Sequence, residues 1–454
     1  MIRKLFVANR GEIALRIIRA CKEIGISVVI GYSDADRYSL PVFLADERIC
    51  IGPANPKESY LNIPSIISSI ELVGADAVHP GYGFLSENIQ FVEICNATRI
   101  IFIGPTPENL KVMGDKSLAK KIARKAKVPV IPGYEENNFH QALHHAKKIG
   151  FPVMIKASAG GGGRGIRKVY NEFEFEKLWH TSQQEAKIAF GEESLYIEKF
   201  IERPRHIEIQ VLCDNRGNIY VFPERDCSIQ RRHQKLIEES PSPFVDTGLR
   251  KRLQKYAKRL VKYIKYRNAG TIEFLVDQHK NPYFIEMNTR IQVEHPVTEC
   301  VTGIDIVKSQ IKIADNSKLD FTQKDIKINY HSIECRINAE DPDNNFLPSP
   351  GRIRKFISPS GPGIRIDTHI YEGYTVPPYY DSLIAKLITY GRTREEAIER
   401  MKRALEEIVI EGIKTTIPLY KKIISHPLFL SGRYYVGLVD KIVSENEQKE
   451  AVKW

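Results

Sequence analysis

The sequence predicts a multidomain protein that combines the α/β and α+β classes. Short strands alternate with helices over about the first hundred residues, strands joined by short turns follow, and the last part is β-rich with helices near 393–409 and 416–424. Alternation is typical of a parallel sheet covered by helices, whereas short turns join antiparallel strands. A chain of 454 residues is long enough for two or three domains.

The N-terminal part carries the alternation. Ala14, Ile17, Ile18 and Cys21 share one face at helical spacing. Parallel sheets usually bind ligands at the carboxyl ends of their strands, and polar turns with glycine follow two strands here, although they could equally be ordinary helix starts. The expected strands cover residues 4–8, 27–32, 77–79 and 100–103, the expected helices 12–24, 64–73 and 87–97, and the two turns 9–12 and 79–83.

The composition is that of a globular protein, with 42% hydrophobic and 27% charged residues. No apolar run approaches the roughly 18 residues of a membrane span, and the N-terminus lacks a signal-peptide pattern. We therefore expect a cytoplasmic protein with no membrane partner. The seven cysteines show no metal-site spacing. The net charge of +11 is compatible with nucleic acid, anionic small molecules or an acidic partner, and does not choose among them.

A glycine-rich loop lies between two expected strands, 151–157 and 166–170. Glycine lets backbone N–H groups approach an anion closely, and Lys156 and Arg164 add positive charge. We therefore expect a flap over phosphates; a flexible surface hairpin is the alternative. Because a strand, not a helix, follows the loop, and no P-loop pattern is present, neither a Rossmann nor a P-loop site is indicated. The glycines expected to bind nucleotide are Gly161, Gly162, Gly163 and Gly165.

Two carboxylates are expected to face each other on a hairpin of strands 271–277 and 282–287. If the turn is simple, Asp277 pairs with Pro282, and counting back places Glu273 opposite Glu286. Half-buried carboxylates this close require a cation or a raised pKa. Asn288 projects the same way, and two carboxylates with an amide suit Mg²⁺ or Mn²⁺. The alternative is a solvated face with two surface glutamates.

A polar series follows this hairpin. If the chain stays extended, Arg290, Gln292 and Glu294 share the side of the proposed metal, where they could bind an anionic substrate and supply a base. Glu294 could instead be an ordinary helix start. Upstream, one strand face is polar at His206, Glu208 and Gln210, and a basic run covers 230–235. That run lacks the interleaved aromatic residues that stack bases, so it favours a nucleotide site over nucleic acid.

Taken together, these motifs resemble those of biotin carboxylases, which have the ATP-grasp fold. The matching stretches are residues 6–14, 79–88, 113–116, the glycine loop, 224–228, 286–296, 334–340 and 374–381. The resemblance covers nearly the whole chain. It implies an N-terminal α/β (pre-ATP-grasp) domain over 1–114, a central ATP-grasp domain over 115–320 with a mobile lid at about 132–203, and a C-terminal β-rich domain over 321–446.

The resemblance also implies roles for individual residues. Glu294 is similar to the base that deprotonates bicarbonate, and Arg336 to the residue that binds biotin and stabilises its enolate. The bicarbonate set is Lys235, Arg290, Gln292 and Val293, the last through its backbone. The metal set is Glu273, Glu286 and Asn288. Besides the glycines and the two glutamates of the metal set, the nucleotide set is Lys116, Lys156, Glu198, Lys199, Phe200, Ile201, His206, Gln230 and His233.

The implied activity is ATP-dependent carboxylation of biotin by bicarbonate through carboxyphosphate, giving ADP and phosphate. Biotin would be attached to a separate biotin carboxyl carrier protein, and a separate carboxyltransferase would use the product, because the chain has no carrier motif. Arg16, Arg19 and Glu23 on one helix face suggest a homodimer. The final acceptor, whether acetyl-CoA, pyruvate or another 2-oxo acid, stays open. The alternatives are another ATP-grasp carbon–nitrogen ligase, a basic nucleic-acid binder and a nucleotide-gated scaffold subunit.

Overall fold

A parallel five-stranded sheet forms the N-terminal part of the computed structural model, which describes residues 1–157, 167–190, 194–232 and 234–443. Its elements are β1 (Lys4–Val7), α1 (Gly11–Glu23), β2 (Ser27–Ser33), α2 (Leu40–Leu44), β3 (Glu47–Gly52), α3 (Ile63–Val73), β4 (Ala77–His79), α4 (Ile89–Ala97) and β5 (Ile101–Phe102). The strand order is β3-β2-β1-β4-β5, with every neighbouring pair parallel.

The alternation predicted for this part is confirmed, with small differences at the element ends. The helix expected from residue 87 begins at Ile89, because the Asn88 side chain accepts a hydrogen bond from the backbone N–H of Phe91 and so caps the helix. Helix α2 and strand β3 were not predicted. Strand β3 lies at the sheet edge and is largely exposed, so it lacks the apolar run that marks the other strands.

A smaller sheet follows helices α5 (Pro107–Gly114) and α6 (Lys116–Lys125). Its elements are β6 (Gly133–Glu136), α7 (Phe139–Ile149), β7 (Val153–Ala157), β8 (Arg167–Val169), α8 (Glu172–Phe190) and β9 (Leu195–Lys199), and the strand order is β6-β9-β7-β8. Phe175 and Trp179 are fully buried in a core that belongs to this unit alone. The two predicted strands are confirmed, since β7 and β8 pair antiparallel, whereas the glycine loop between them lies outside the described residues.

The middle of the chain supplies most of a large antiparallel sheet. The elements are β10 (Arg205–Cys213), β11 (Ile219–Arg231), β12 (Gln234–Ser240), α9 (Thr247–Tyr263), β13 (Asn268–Val276), β14 (Pro282–Asn288), α10 (His295–Thr302) and α11 (Ile306–Ala314). The predicted hairpin across residues 215–218 is confirmed, because β10 pairs antiparallel with β11.

The last part of the chain continues the same sheet. Its elements are β15 (His331–Asn338), β16 (Glu340–Asp341), β17 (Leu347–Pro348), β18 (Gly351–Arg352), β19 (Lys355–Ile357), β20 (Ile364–Thr368), β21 (Thr375–Val376), β22 (Leu383–Gly391), α12 (Arg394–Glu407), β23 (Val409–Glu411), α13 (Ile417–Ile424) and α14 (Pro427–Leu430). The eight strands run in the order β14-β13-β10-β11-β12-β15-β22-β20. Pairing of β12 with β15 therefore joins the middle and last parts of the chain. Within the described residues no helix is long and apolar enough to cross a membrane.

The β13–β14 hairpin has the predicted carboxylate pair but a different turn. Glu273 lies opposite Glu286, as expected, whereas Val276 rather than Asp277 pairs with Pro282. The register shifts by one residue between Glu273 and Phe274, so that Ile285 is the extra residue of a β-bulge. The expected pairing at the turn was therefore wrong by one residue, and the bulge restores the register before it reaches the carboxylates.

Candidate functional site

A cavity of about 1580 Å³ opens where the three sheets meet. The turn after β1 and the turn after β4 both reach it, as expected for the carboxyl ends of parallel strands. Most of the predicted site residues line it, from distant parts of the chain. They are Lys116, Glu198, Lys199, Phe200, Ile201, His206, Gln230, Lys235, Glu273, Glu286, Asn288, Arg290, Gln292, Val293, Glu294 and Arg336.

The remaining predicted residues divide into two groups. The Lys156 ammonium contacts the carboxylate of Glu198, a lining residue, at 2.7 Å. Lys120, for which no role was predicted, approaches the same carboxylate at 3.5 Å, so two lysines face one glutamate at the edge of the cavity. Outside the described residues lie Gly161, Gly162, Gly163, Gly165 and His233.

Two carboxylates and an amide meet at the hairpin. The Glu273 carboxylate is 6% exposed and accepts hydrogen bonds of 2.8 Å from both Asn288 Nδ2 and Gln292 Nε2. Burial raises the pKa of Glu273, but Lys235 and His206 outweigh it and hold this pKa well below the usual value. The carboxylate is therefore anionic at neutral pH.

This donor set fits a hard divalent cation. Glu286 faces the ammonium of Lys116 at 3.0 Å, and Lys116 is 78% exposed, so a metal ion could displace it at little cost. Carboxylate and amide oxygens are the ligands that Mg²⁺ and Mn²⁺ prefer. Potential ligand atoms of His206, Glu208 and Glu273 also lie within 4.8 Å of one another. Glu208 is already engaged by buried cations, so the hairpin set fits better.

Lys235 connects the metal set to the predicted base. Its ammonium contacts Glu208 at 2.6 Å, Glu273 at 2.9 Å and Glu294 at 2.7 Å. Burial lowers the pKa of Lys235, and the three carboxylates raise it well above its usual value. The lysine therefore stays charged. Because three carboxylates surround this ammonium, it can bind a small anion only on the side that faces the cavity.

The polar series after the hairpin converges on the site without being extended. Residues 289–294 contain no strand, contrary to the expectation, yet Gln292 reaches Glu273 and Arg290 donates to the Asn288 amide oxygen at 2.9 Å. Glu294 does precede helix α10, but its side chain makes no capping hydrogen bond. The two interpretations of Glu294 are therefore compatible. Its backbone begins the helix, and its carboxylate faces the cavity.

Glu294 and Arg336 form the end of the site that faces the last part of the chain. Arg336 donates to Glu294 at 2.8 Å and to the fully buried Glu238 at 2.6 Å. Burial raises the pKa of Glu294, and Lys235, Arg336 and Arg225 together hold it well below its usual value. Glu294 is thus an ionised carboxylate between two cations. It can accept a proton once a substrate displaces those contacts.

Sequence reasoning assigned no role to two buried cations. Arg225 is fully buried, ion-pairs with Glu208, and donates to Gln210 at 3.0 Å and Gln292 at 2.9 Å. Two sequence signals could have identified Arg225: the stretch 224–228, which matches the family, and the polar face of β10. Lys386 is also fully buried and donates to the Val293 carbonyl at 3.0 Å. A lone lysine in an apolar strand gives no comparable signal.

Lys386 and Glu12 link residues 289–294 to the N-terminal sheet. The Lys386 ammonium contacts Glu12 at 2.9 Å, and Tyr82 donates a hydrogen bond to the same carboxylate. Glu87, another residue without a predicted role, accepts from the Arg290 guanidinium at 3.0 Å. Residues 289–294 are therefore held at Arg290 by Glu87 and at Val293 by Lys386.

Family models match three consecutive segments of the chain. They describe the biotin carboxylase N-terminal domain at residues 1–110, the carbamoyl-phosphate synthase L chain ATP binding domain at 115–322 and the biotin carboxylase C-terminal domain at 334–441. The ATP-grasp prediction is thereby confirmed. The second model also shows why another ATP-grasp ligase was a reasonable alternative.

Curated relatives and solved structures agree with this result. The biotin carboxylase of Nostoc sp. is 55% identical over 97% of this chain and 99% of its own. A pyruvate carboxylase subunit of Methanothermobacter thermautotrophicus is 52% identical over 97% of this chain and 90% of its own. The biotin carboxylase domain dimer of Hydrogenobacter thermophilus 2-oxoglutarate carboxylase, solved with magnesium ADP, ADP and bicarbonate, is 48% identical, with a TM-score of 0.88 and coverage of 97% and 98%. The chain therefore belongs to the biotin carboxylase family, ATP-dependent ligases that carboxylate biotin.

Proposed function

We propose that this chain carboxylates biotin on a carrier protein, using bicarbonate and ATP, through the residues that line the cavity. The observation that carries the proposal is the position of Glu294, an ionised carboxylate held between Lys235 and Arg336. A base must meet bicarbonate beside a cation that binds it, and the carboxylated product must form beside a second cation. This arrangement provides both within one cluster.

Bicarbonate is the proposed ligand of Lys235, Arg290, Gln292 and the Val293 backbone. Charged and amide donors from the cluster would replace its hydration shell, and Glu294 would accept its proton as it attacks the γ-phosphate of ATP. The bond from bicarbonate oxygen to phosphorus forms while the bond to ADP breaks, which gives carboxyphosphate and ADP.

Lys116, Lys156 and the glycine loop are the proposed phosphate ligands. The proposed contacts to the rest of the nucleotide are Glu198–Ile201, His206, Gln230 and His233. Glu273, Glu286 and Asn288 would hold the divalent cation, which, when bound, neutralises charge on the transferring phosphoryl group. Residues of about 132–203 are the proposed lid. Closure over the cavity would exclude water, which is required because carboxyphosphate hydrolyses easily.

Arg336 is proposed to stabilise the biotin enolate. Carboxyphosphate breaks down to CO₂ and phosphate, and that phosphate can take the proton from the ureido nitrogen as negative charge develops on the ureido oxygen. An arginine keeps its charge throughout, because its guanidinium is not deprotonated in proteins. Carboxylation of the nitrogen then gives carboxybiotin.

The partners and setting are also proposals. A carrier protein and a carboxyltransferase on separate chains are supported by the pyruvate carboxylase relative, which is a separate subunit of similar length. A homodimer is supported by the dimeric Hydrogenobacter structure. On α1, Arg16 is buried against Glu299 and Asp305 within the chain, so this residue cannot contribute to the expected dimer face. Arg19 and Glu23 are exposed, and Glu23 contacts Lys308 of the same chain. A cytoplasmic location stays a prediction.

The test is bicarbonate-dependent ADP release with Mg²⁺, with and without free biotin. Stimulation by biotin that requires bicarbonate is the expected result. ATP turnover that ignores biotin would point to another ATP-grasp ligase. Absence of turnover, even with the carrier protein present, would favour a scaffold role. A salt-sensitive affinity for DNA or RNA that ATP does not displace would indicate a nucleic-acid binder.

A further inference from the structure

A second pair of carboxylates lies deeper in the eight-stranded sheet. Glu238 on β12 and Glu334 on β15 are register partners on adjacent antiparallel strands, and both are 0% exposed. Side chains at such positions have their Cβ atoms about 5 Å apart on the same face of the sheet. Arg336, two residues after Glu334, projects from that face as well. The pair therefore adjoins the proposed biotin-binding arginine.

The two carboxyl groups differ in what they contact. Oε1 of Glu238 accepts the 2.6 Å hydrogen bond from Arg336. Neither oxygen of Glu334, nor Oε2 of Glu238, has a hydrogen-bond partner among the described residues. A buried ionised carboxylate without a partner is very costly, and such a group normally becomes neutral instead. One hydrogen atom shared between the two facing side chains would give a partner to two of these three oxygens and leave the pair with a single negative charge.

The surrounding charges do not compensate for ionisation of Glu334. On β15 the neighbouring cation is Arg336, which already serves Glu238 and Glu294. On β22 it is Lys386, the register partner of Arg336, whose ammonium is engaged by Glu12 and the Val293 carbonyl. Glu238 on β12, Glu294 in the turn before helix α10 and Cys300 on α10 also act on Glu334, and none of them is a cation. On β20, Arg365 pairs with Ile388, the register partner of Glu334, but its guanidinium is engaged by Glu299 and Asp367.

We propose that Glu334 is a positioning residue that carries a proton at neutral pH and shares it with Glu238. With this proton in place, Arg336 faces only two negative charges: one on the Glu238–Glu334 pair and one on Glu294. With a third carboxylate, the guanidinium would be drawn toward the sheet and away from the cavity. This inference rests on the proposed role of Arg336 and adds a group that sustains it.

The direction of the pKa shifts agrees with this geometry. Burial raises the pKa of Glu334 well above its usual value, and the charge of Glu238 adds to the effect of burial despite the opposing effects of Lys386 and Arg336. For Glu238, burial raises the pKa to about 7 against the opposing effect of Arg336. Two groups this close titrate as a pair, so the shared proton belongs to both.

Infrared difference spectroscopy of the full chain tests the protonation directly. Subtracting the spectrum of Glu334→Gln from that of the wild type at neutral pH should leave the carbonyl stretch of a protonated carboxylic acid. Glutamine has nearly the shape of the neutral acid, so the fold should be retained; Glu334→Met provides the same subtraction if it is not. The exposed Glu411→Gln should leave only carboxylate bands. A Glu334 difference spectrum with carboxylate bands alone would overturn the proposal.

The pH dependence of biotin carboxylation tests the positioning role. Ionisation of the pair should reduce wild-type activity at alkaline pH, and Glu334→Gln should move that alkaline limb upward by about one pH unit or more, the equivalent of about a tenfold change in the ionisation constant. An unchanged alkaline limb would overturn the role. Absence of biotin-stimulated turnover in the wild type would instead overturn the proposed function, while the infrared band would still decide the protonation.

Discussion

The eight-stranded sheet carries two pairs of facing carboxylates that differ in their exposure and in the cations around them. Glu273 and Glu286 lie opposite each other on β13 and β14, and Glu238 and Glu334 on β12 and β15. The first pair lines the cavity, where Lys235, His206 and Lys116 approach it. The second pair is closed off from solvent, and Arg336 reaches only one of its members. The same pairing across adjacent strands thus supports our proposed cation site where the cavity admits charge, and our proposed shared proton where the pair is closed off.

The largest expected effect comes from removing a charge of the first pair. Glu286→Gln should reduce metal-dependent ATP turnover by at least about 100-fold, because a neutral amide cannot help to neutralise a divalent cation. Turnover measured across a Mg²⁺ titration gives the result. The exposed Glu411→Gln is the matched control and should behave as the wild type. Wild-type turnover in Glu286→Gln would remove the hairpin from the metal site.

Removing the arginine beside the second pair should have a more selective effect. Arg336→Ala should reduce biotin-dependent turnover by about 100-fold, since the enolate loses its permanently charged donor. Nucleotide affinity, measured by calorimetry with ADP and Mg²⁺, should change little because Arg336 lies at the other end of the cluster. Equal losses in nucleotide affinity and biotin turnover would show that Arg336 supports the whole site.

Loss of Lys386 should weaken the use of bicarbonate without affecting that of ATP. Lys386→Met removes the donor to the Val293 carbonyl and leaves Glu12 buried without its cation. We expect KM for bicarbonate to rise about tenfold while KM for ATP stays near the wild-type value, because only residues 289–294 lose support. Lys402→Met, on the partly exposed face of α12, is the control. A parallel rise in both KM values would indicate a general loss of stability.

The last effect is on stability, not on activity: the two pairs should change the free energy of unfolding with pH in opposite directions. A lowered pKa, as in Glu273, stabilises the fold above the ordinary value of 4.5, and this contribution is lost as pH falls through the folded pKa. A raised pKa, as in Glu238 at about 7, does the reverse: the contribution is complete below 4.5 and is lost as pH rises toward the folded value.

Urea unfolding at about pH 5 and about pH 7 can detect this difference. Between these values the second pair should cost the wild type up to about 1.4 kcal/mol per pH unit, and Glu334→Gln should lack most of that loss. The variant should therefore gain free energy of unfolding relative to the wild type as pH rises. A constant difference between the two proteins would mean that Glu334 titrates normally.

Local patterns were sufficient where a residue's neighbours are close in sequence. Strand β4 was predicted with its observed ends, and the facing of Glu273 and Glu286 followed from counting along one hairpin. The same counting gave the wrong partner for Asp277, because a bulge at Ile285 has no clear mark in the sequence. Residues 289–294 were expected to be extended, whereas packing from Glu87 and Lys386 folds them into the cavity.

The sequence by itself determined the alternating N-terminal sheet, the carboxylate hairpin and, through its motifs, the family and most of the cavity lining. These depend on short periodicities and on residue types that the chemistry requires. The tertiary structure alone decided which cations neutralise which carboxylates: Lys235 among Glu208, Glu273 and Glu294, and Lys386 against Glu12. Those contacts join residues hundreds of positions apart or on separate strands. Burial sets their charge states, and burial exists only once the sheets have packed together.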